Sequence, residues 1–256
     1  MMGAPSAAAP AAAPAAPFSM TYTVAAHAAE KVAAALRDSG VCEQVWTAGG
    51  VRRKKPDHIH DLDLVVVPEQ EPGVGSGGVW TQRFVDFVRR GELWREADLR
   101  GGEQLTLTGV AEPPSRIHRH SRKISLRSAR RPELRIELWL ATPESVGAAL
   151  MIRTGPADFA HLLVAAARYE GLGLPPDARR RAQAKGSAEP RFYFAGGFLR
   201  FDDPARGDVG RVVPTRTEAD VFDALDLPHM APQNRTREAL HHAIDARRAN
   251  PRGGRP

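Results

Sequence analysis

Several features that would place a chain in a specialised class of protein are scarce in this sequence. Its 256 residues include a single cysteine, Cys42, which excludes an intramolecular disulfide framework and leaves too few thiols for a zinc finger. No apolar run is long enough to span a membrane. The Ala/Pro-rich start lacks the positively charged region and the continuous apolar segment of a secretory signal peptide. We therefore expect a soluble intracellular protein of the cytoplasm or nucleus, in a reducing compartment, with no membrane partner.

The charge balance of the chain is moderately basic. Lys and Arg number 36 against 30 Asp and Glu, for a net charge of +6, which favours a polyanionic partner and makes nucleic acid the first candidate. The 42% content of hydrophobic residues is enough for a core, and the length suits one large or two small domains. Residues 1–19 are an exception, because their spaced prolines predict a disordered tail. Met20 could be an alternative start.

A strand that carries alternating aspartates is the most informative stretch. In the run 61–67, Asp61 and Asp63 share one face, while Leu62 and Leu64 point into a core. Two carboxylates fixed side by side repel each other unless a cation lies between them, and hard oxygen ligands suit Mg²⁺. The simpler alternative is a strand with two exposed aspartates.

A glycine turn and a basic pair precede that strand. Gly49 and Gly50 follow a predicted strand at 43–47, and they allow backbone N–H groups to approach an anion. Arg52 and Arg53 come next and offer planar donors for phosphate oxygens. This order predicts a phosphate-binding turn beside a metal-binding strand.

The remaining pattern predicts an α/β (α+β) fold with a mixed sheet of about five strands. A helix is expected over 23–37, capped by Thr23, with Val24, Ala28, Val32 and Leu36 on its apolar side. Further strands are expected at 104–108, 123–126 and 135–140.

In the run 135–140, Glu137 shares a face with Arg135 and Trp139, opposite the aliphatic residues. It is either a third carboxylate of the metal site or a surface glutamate.

Two clusters of basic residues could bind a nucleic-acid backbone or only solvate an edge strand. One cluster extends from Arg116 to Arg131, and the other comprises Arg179, Arg180, Arg181 and Lys185. The predicted DNA contacts are Arg127, Arg130, Arg131, Arg179 and Arg180. His118 and His120 lie in the first cluster without a further ligand nearby, so a zinc site is not expected.

The glycines at 73–78 match a dinucleotide-binding fingerprint in letters only. An acidic segment, 68–72, separates them from the preceding strand, so a loop is the better interpretation. The aromatic side chains of the next helix, 80–90, are expected in the core.

The second half of the chain favours helices and a hairpin. Thr142 and Pro143 predict a helix start, and Thr154–Gly155 leads into a second helix that reaches about Tyr169. A hairpin turned by two glycines is expected over 191–201. Thr217 is expected to cap the helix 221–225, and a last helix is expected over 236–248.

Taken together, these motifs resemble the family X DNA polymerases of the nucleotidyltransferase superfamily. That family has G-[GS]-x-R-R followed by D-[hydrophobic]-D, as at 49–53 and 61–63 here. The segment TEADVFDALDLPHMAPQNR, 217–235, resembles the C-terminal motif of the same family. The resemblance covers about 20–235 and implies a palm domain at 20–141, a small C-terminal α/β subdomain at 142–235, and an extra helix and basic tail at 236–256. Because larger members carry an N-terminal lyase-type domain, the chain looks like a minimal member.

The resemblance also implies site residues and ligands. Asp61, Asp63 and Glu137 would be catalytic and would hold two Mg²⁺ ions, with Mn²⁺ as a substitute. Nucleotide contacts would come from Gly49, Gly50, Arg52, Arg53, Thr154 and Gly155. Expected partners are a dNTP and a primer-template or gapped DNA, bound by a monomer.

The sequence departs from the family pattern at three places near the nucleotide. Glu137 replaces an aspartate, Ile152 and Arg153 stand where an aromatic side chain is usual, and Ala160 replaces an asparagine that contacts the base edge in several members.

Three functions remain open from the sequence. The first is a DNA polymerase that fills gaps in repair. The second is a nucleotidyltransferase that acts on a small molecule, a protein or an RNA end. The third is a catalytically silent nucleic-acid-binding homologue.

Overall fold

A computed structural model describes residues 18–56, 58–71, 79–96, 117–175 and 177–249. The elements of the first half are α1 (Tyr22–Asp38), β1 (Cys42–Thr47), α2 (Gly49–Arg52), β2 (Asp61–Pro68), α3 (Gln82–Arg90), β3 (Trp94–Glu96), β4 (Lys123–Ser128) and β5 (Arg135–Leu140). Those of the second half are α4 (Val146–Thr154), α5 (Ala157–Tyr169), α6 (Ala178–Ala184), β6 (Arg191–Ala195), β7 (Phe198–Asp203), β8 (Asp208–Val213), α7 (Glu218–Ala224) and α8 (Arg237–Ala249). Short 3₁₀ turns follow β7 and α7, at Pro204–Arg206 and Pro232–Asn234.

A mixed five-stranded sheet organises the first half, in the order β1-β2-β5-β4-β3. Strand β2 pairs antiparallel with β1 and parallel with β5, so the two strands that carry the predicted carboxylates are direct neighbours. Strands β5, β4 and β3 then pair antiparallel. The predicted mixed α/β fold is therefore confirmed.

The two faces of this sheet have different environments. Leu62 and Leu64 on β2 and Ile136 on β5 are buried in a core with α1 and α3. On the other face, Val65 of β2 packs in a smaller cluster with Val146 of α4. The first residues of β2 extend beyond that cluster and carry Asp61 and Asp63, which are only half-buried. One face thus anchors the strand while the other presents carboxylates.

A second core organises the C-terminal half. Strands β6, β7 and β8 form an antiparallel sheet, which packs with α4, α5, α7 and α8 through side chains that include Phe159, Phe222 and Leu240. Helix α4 belongs to both halves, because Leu150 lies in the smaller cluster and Met151 in the second core. The helix expected at 236–248 is present as α8 and is part of this core.

The predicted apolar side of α1 was wrong in part. Its buried face includes Ala25, Ala29, Val32 and Leu36, whereas Val24 is 44% exposed. The helix also begins before Thr23, with Thr21 at the N-cap. Alanine explains why the buried face differs from the predicted one. Its small side chain packs closely against a sheet, but it contributes little to the hydrophobic pattern of the sequence.

The expected helix start at Thr142 was also wrong. Helix α4 begins at Val146, and Thr142 instead forms a turn in which its hydroxyl contacts the Ser145 hydroxyl at 3.1 Å. The fifth strand of the sheet is β3, a three-residue strand. Four features of the sequence analysis lie outside the described residues: the strand expected at 104–108, the glycine run 73–78, residues 1–17 of the predicted tail 1–19, and Arg116.

Candidate active site

The three predicted carboxylates lie at neighbouring positions on two adjacent strands. Asp63 of β2 is in register with Glu137 of β5, and Asp61 is in register with Arg135. Because alternate residues of a strand share a face, Asp61, Asp63 and Glu137 all point away from the main core. The parallel pairing of β2 with β5 produces this arrangement.

Asp63 is held on both sides by its surroundings. One carboxylate oxygen, Oδ1, accepts a hydrogen bond from the indole Nε1 of Trp139 at 3.0 Å. The other faces Gly49, where a Cβ atom would lie 2.2 Å from Oδ2. Gly49 has a positive φ of +57°, which glycine adopts without strain. The first glycine of the turn is thus required both by its conformation and by the closeness of Asp63.

The electrostatics of the site favour a bound cation. The pKa of Asp63 is raised to about 6, chiefly by burial and also by the charges of Asp61 and Glu137, while the Trp139 hydrogen bond and Arg153 act to lower it. A carboxylate that resists ionisation because of burial and like charges is stabilised in its charged form by a nearby cation. The donor set of Asp61, Asp63 and Glu137 therefore suits Mg²⁺.

The side chains of this set point to different partners. Glu137 forms an ion pair with Lys123 of β4, and Asp61 lies 4.0 Å from the guanidinium of Arg135. Within the described ranges, no three His, Cys, Asp or Glu side chains are close enough together to hold a metal ion. The strand positions of the three carboxylates fit a metal site. To contribute a ligand, Glu137 must either break its ion pair with Lys123 or bind the cation while it keeps that pair.

The predicted basic turn lies between the carboxylates and the Thr154–Gly155 turn. Arg53 is half-buried and donates to the backbone carbonyl of Thr154. Burial lowers the pKa of Arg53, and the charges of Asp63 and Asp61 act in the opposite direction. Arg53 is therefore a cation within electrostatic reach of both aspartates, as a phosphate-binding residue beside a metal site should be.

Arg52 is occupied by contacts to the C-terminal half. Its guanidinium donates to Thr154 Oγ1 at 3.3 Å and pairs with Glu218 of α7. Glu218 also binds Arg235 at 2.6 Å, and the Arg235 side chain is fully buried. Arg52 thus connects the Thr154–Gly155 turn, which is predicted to contact the nucleotide, to α7. The Gly-Gly-x-Arg-Arg pattern alone did not reveal this role.

A cavity of about 260 Å³ lies between Asp63 and helix α5. Its wall includes Gly155, Arg153 and His161, together with the small side chains of Ala157 and Ala160. Gly155 could not be replaced easily, since a Cβ there would lie 2.7 Å from the ring of Phe159. Thr154 is fully buried behind it. The cavity therefore lies between Asp63 on β2 and the Thr154–Gly155 turn, which is predicted to contact the nucleotide.

Trp139 and Arg153 are site residues that the sequence interpretation did not identify. The guanidinium carbon of Arg153 lies 3.2 Å from the centre of the Trp139 ring, and Lys123 Nζ lies 4.7 Å from it. The alternation of β5 placed Trp139 on the face of Glu137, and this was the available signal. Its contact with Asp63 depends on how β2 and β5 pair.

The predicted DNA contacts fall at several places. Arg127 is on the carboxylate side of β4 and donates to the Pro132 carbonyl at 2.7 Å. Arg130 and Arg131 are exposed and line a cavity with α1, on the opposite side of the sheet from Asp63. Arg179 and Arg180 are exposed on α6.

Two members of the second basic cluster make internal contacts. Arg181 pairs with Asp203 at 3.0 Å, and Lys185 donates to the Ala205 carbonyl at 2.6 Å. These contacts connect α6 to the end of β7. Arg179 and Arg180 remain as exposed candidates for phosphate contacts, with Arg179 lying 3.9 Å from Glu189.

Comparison with known families supports the resemblance noted in the sequence. Residues 149–236 match the family model of the DNA polymerase beta thumb, a range that extends from α4 to the residue after Arg235. No curated protein matches the chain. None of the helices in the described ranges is long and apolar enough to cross a membrane.

Proposed function

We propose that this family X polymerase-like chain is a Mg²⁺-dependent nucleotidyltransferase that adds a nucleotide from a dNTP to the 3′-hydroxyl of a primer. The observation that carries the proposal is the register of Asp63 with Glu137, which puts both on one face with Asp61. Asp63 also lines a cavity with Gly155. The thumb-type segment implies that the chain binds DNA.

The carboxylates would hold the metal ions at the edge of the sheet. Asp61 and Asp63 would hold two Mg²⁺ ions, and Glu137 would contribute a further ligand on release from Lys123. Bound Mg²⁺ would supply charge stabilisation at the phosphoryl oxygens and lower the pKa of the primer hydroxyl. The contribution of the protein is to keep the oxygen ligands in a fixed geometry, which the buried residues of β2 provide.

The nucleotide would occupy the cavity between Asp63 and α5. Gly50 and Arg53 would hold the triphosphate, since glycine backbone N–H groups and a guanidinium are good partners for phosphate oxygens. Gly155 would contact the sugar, and Thr154, fully buried behind it, would support the turn. Arg52 would keep this turn in place through Thr154 and Glu218 rather than bind phosphate directly.

A role in gap filling during DNA repair follows from the same proposal. We expect the protein to act as a monomer on a gapped or recessed duplex, with Arg127, Arg130, Arg131, Arg179 and Arg180 as phosphate contacts. Such contacts position DNA without reading its sequence.

One observation favours a nucleotidyltransferase with a different acceptor. Among the α5 side chains in the cavity wall, Ala157, Ala160 and Val164 offer no hydrogen bond to a base edge, and His161 alone carries a polar group. A site with so few such contacts discriminates weakly among bases. A transferase for a small molecule, protein or RNA end is therefore the second candidate.

Incubation with labelled dNTPs and Mg²⁺ separates these functions. The substrates are a one-nucleotide gapped duplex, a recessed primer-template, single-stranded DNA and no DNA. We expect extension directed by the template base on the two duplexes. Equal incorporation on single-stranded DNA would favour the second candidate, and no incorporation on any substrate would favour a silent DNA-binding homologue. Size-exclusion chromatography with light scattering tests the monomer.

A further inference from the structure

Trp139 connects Asp63, on the carboxylate-bearing strand β2, with the Thr154–Gly155 turn. It lies on β5 and is half-buried beside Val65 and the start of α4. Its indole N–H donates to Asp63, and its ring face is covered by the guanidinium of Arg153. Arg153 immediately precedes Thr154, so a chain of two contacts extends from the turn to Asp63.

The chemistry of the indole suits it for orienting a metal ligand. Its N–H is a donor only and carries no charge. It can therefore fix the rotation of the Asp63 carboxylate without neutralising it, whereas an arginine or lysine at this place would compete with a cation. Groups that hydrogen-bond to metal-binding side chains set the orientation of the ligand and affect metal affinity by about 10- to 100-fold.

Arg153 is placed to hold the ring still. Its guanidinium carbon lies 3.2 Å from the ring centre, a distance at which a planar cation stacks on the π face. Burial lowers the pKa of Arg153, while Asp63 and Glu137 raise it. The nearby carboxylates thus favour the charged form of the guanidinium that stacks on the ring.

We propose that Trp139 is a positioning residue that holds Asp63 in its metal-binding orientation, and that Arg153 fixes Trp139 by stacking on it. This inference rests on the proposed function, because it takes Asp63 to be a metal ligand. As a consequence, a change in the geometry of the Thr154–Gly155 turn should change the affinity of the carboxylates for metal.

Binding of Mn²⁺, measured by electron paramagnetic resonance without DNA or nucleotide, tests the role of Trp139. Trp139→Phe keeps an aromatic ring but removes the N–H, and we expect Mn²⁺ to bind about tenfold more weakly. Trp46→Phe is the matched control, because Trp46 is 46% exposed on β1 and should leave the affinity unchanged. Parent affinity in Trp139→Phe, with an unchanged melting temperature, would overturn the proposal.

Indole NMR provides a measurement that needs no metal. The chain has 4 tryptophans, and Trp139→Phe assigns the Trp139 signal. Asp63→Asn changes the acceptor of its N–H, so we expect that indole signal to shift by far more than the other signals. An unmoved Trp139 signal would show that the hydrogen bond is absent in solution and would overturn the proposal.

Arg153→Lys tests the stacking. Lysine keeps the positive charge but lacks the planar group, so Mn²⁺ should bind several-fold more weakly and the Trp139 signal should broaden or shift. Parent behaviour in both measurements would overturn the part assigned to Arg153. None of these measurements uses nucleotide transfer, so failure of the polymerase proposal is distinguishable: the parent would bind Mn²⁺ and respond as described yet extend no primer.

Discussion

Glu137 occupies the strand position at which the resembled family has aspartate, and its side chain is paired with Lys123. It is only 9% exposed, so it is not an ordinary surface residue of a strand. A glutamate has one more methylene group than aspartate and reaches Lys123 on the neighbouring strand. The pairing explains how this carboxylate is accommodated when no cation is bound.

We predict that Glu137→Gln loses most nucleotide transfer, because the amide cannot replace a charged ligand. Glu137→Asp should transfer the nucleotide at the parental rate or faster. Its shorter side chain ends farther from Lys123 and places the carboxylate where the resembled family has its aspartate. Single-turnover primer extension measures both variants, with Glu238→Gln as the control, because Glu238 is exposed at the start of α8. Parent rates in both Glu137 variants would remove Glu137 from the site.

Asp63 should make the stability of the metal-free protein depend on pH. Burial raises its pKa from 3.8 to about 6, so the folded state binds the proton more tightly than the unfolded state does. This stabilising effect is fully present below about pH 4 and is lost as the pH rises through about 6. The free energy of unfolding should therefore fall over that range.

The comparison that isolates this effect is urea unfolding of the parent and of Asp63→Asn, both in EDTA. The variant cannot ionise at position 63, so it should not lose stability for this reason as the pH rises. The free energy of unfolding of Asp63→Asn relative to that of the parent should therefore increase between pH 4 and pH 7. A difference that stays constant across that range would contradict the raised pKa.

At the scale of elements, the strands that carry the carboxylates were predictable and their pairing was not. The alternation in the runs 61–67 and 135–140 is strong, and β2 and β5 confirm it. Nothing local indicates that β2 pairs parallel with β5, because the partner is distant in sequence. The contacts of Trp139 with Asp63 and Arg153 follow from that pairing and so remained hidden.

Short or alanine-rich elements account for the other differences. Strand β3 has three residues, too few for a periodic pattern, and the buried face of α1 consists largely of alanine. Arg52 is a third case, because its partner Glu218 belongs to another element. A local motif shows that a group is present but not which neighbour it binds.

The N-terminal cap of α7 was predicted and is present. Thr217 Oγ1 accepts from the Asp220 N–H, and Asp220 accepts from the Thr217 N–H. Because Glu218 begins this helix and binds Arg52 and Arg235, the cap supports the connection between the two halves.

We predict that Thr217→Ala lowers the free energy of unfolding by about 1 kcal/mol. Thr23→Ala is the matched control and should be neutral or slightly stabilising, because Thr23 lies inside α1 and not at its cap. Chemical denaturation measures both variants. Equal losses in the two would show that the cap of α7 does not contribute.

At the scale of the whole molecule, DNA binding should be largely electrostatic. If about six phosphates are neutralised, log K should fall with log[salt] at a slope of about −5, and loss of two arginine contacts should flatten it by about 2. The structure separates the candidate residues, since Arg130 and Arg131 lie across the sheet from Asp63 whereas Arg179 and Arg180 lie on α6.

Two double variants identify the DNA contacts when their DNA affinity is measured by fluorescence anisotropy at several salt concentrations. One combines Arg130→Gln with Arg131→Gln, and the other combines Arg179→Gln with Arg180→Gln. A pair that binds phosphate should flatten the slope by about 2 and weaken all DNA sequences about equally. Unchanged affinity and slope in both variants would contradict the basic clusters as DNA contacts and favour the transferase with another acceptor.

The central claim is that Asp61 and Asp63 hold the metal ions for nucleotide transfer. Its most direct test is primer extension on gapped DNA by Asp61→Asn and Asp63→Asn, with Mn²⁺ binding measured on the same samples and Asp86→Asn on α3 as the control. We expect both site variants to stay folded, to bind Mn²⁺ more weakly and to retain less than a few per cent of parental extension, while the control behaves like the parent. Substantial extension by either variant, with parental Mn²⁺ binding, would contradict the claim.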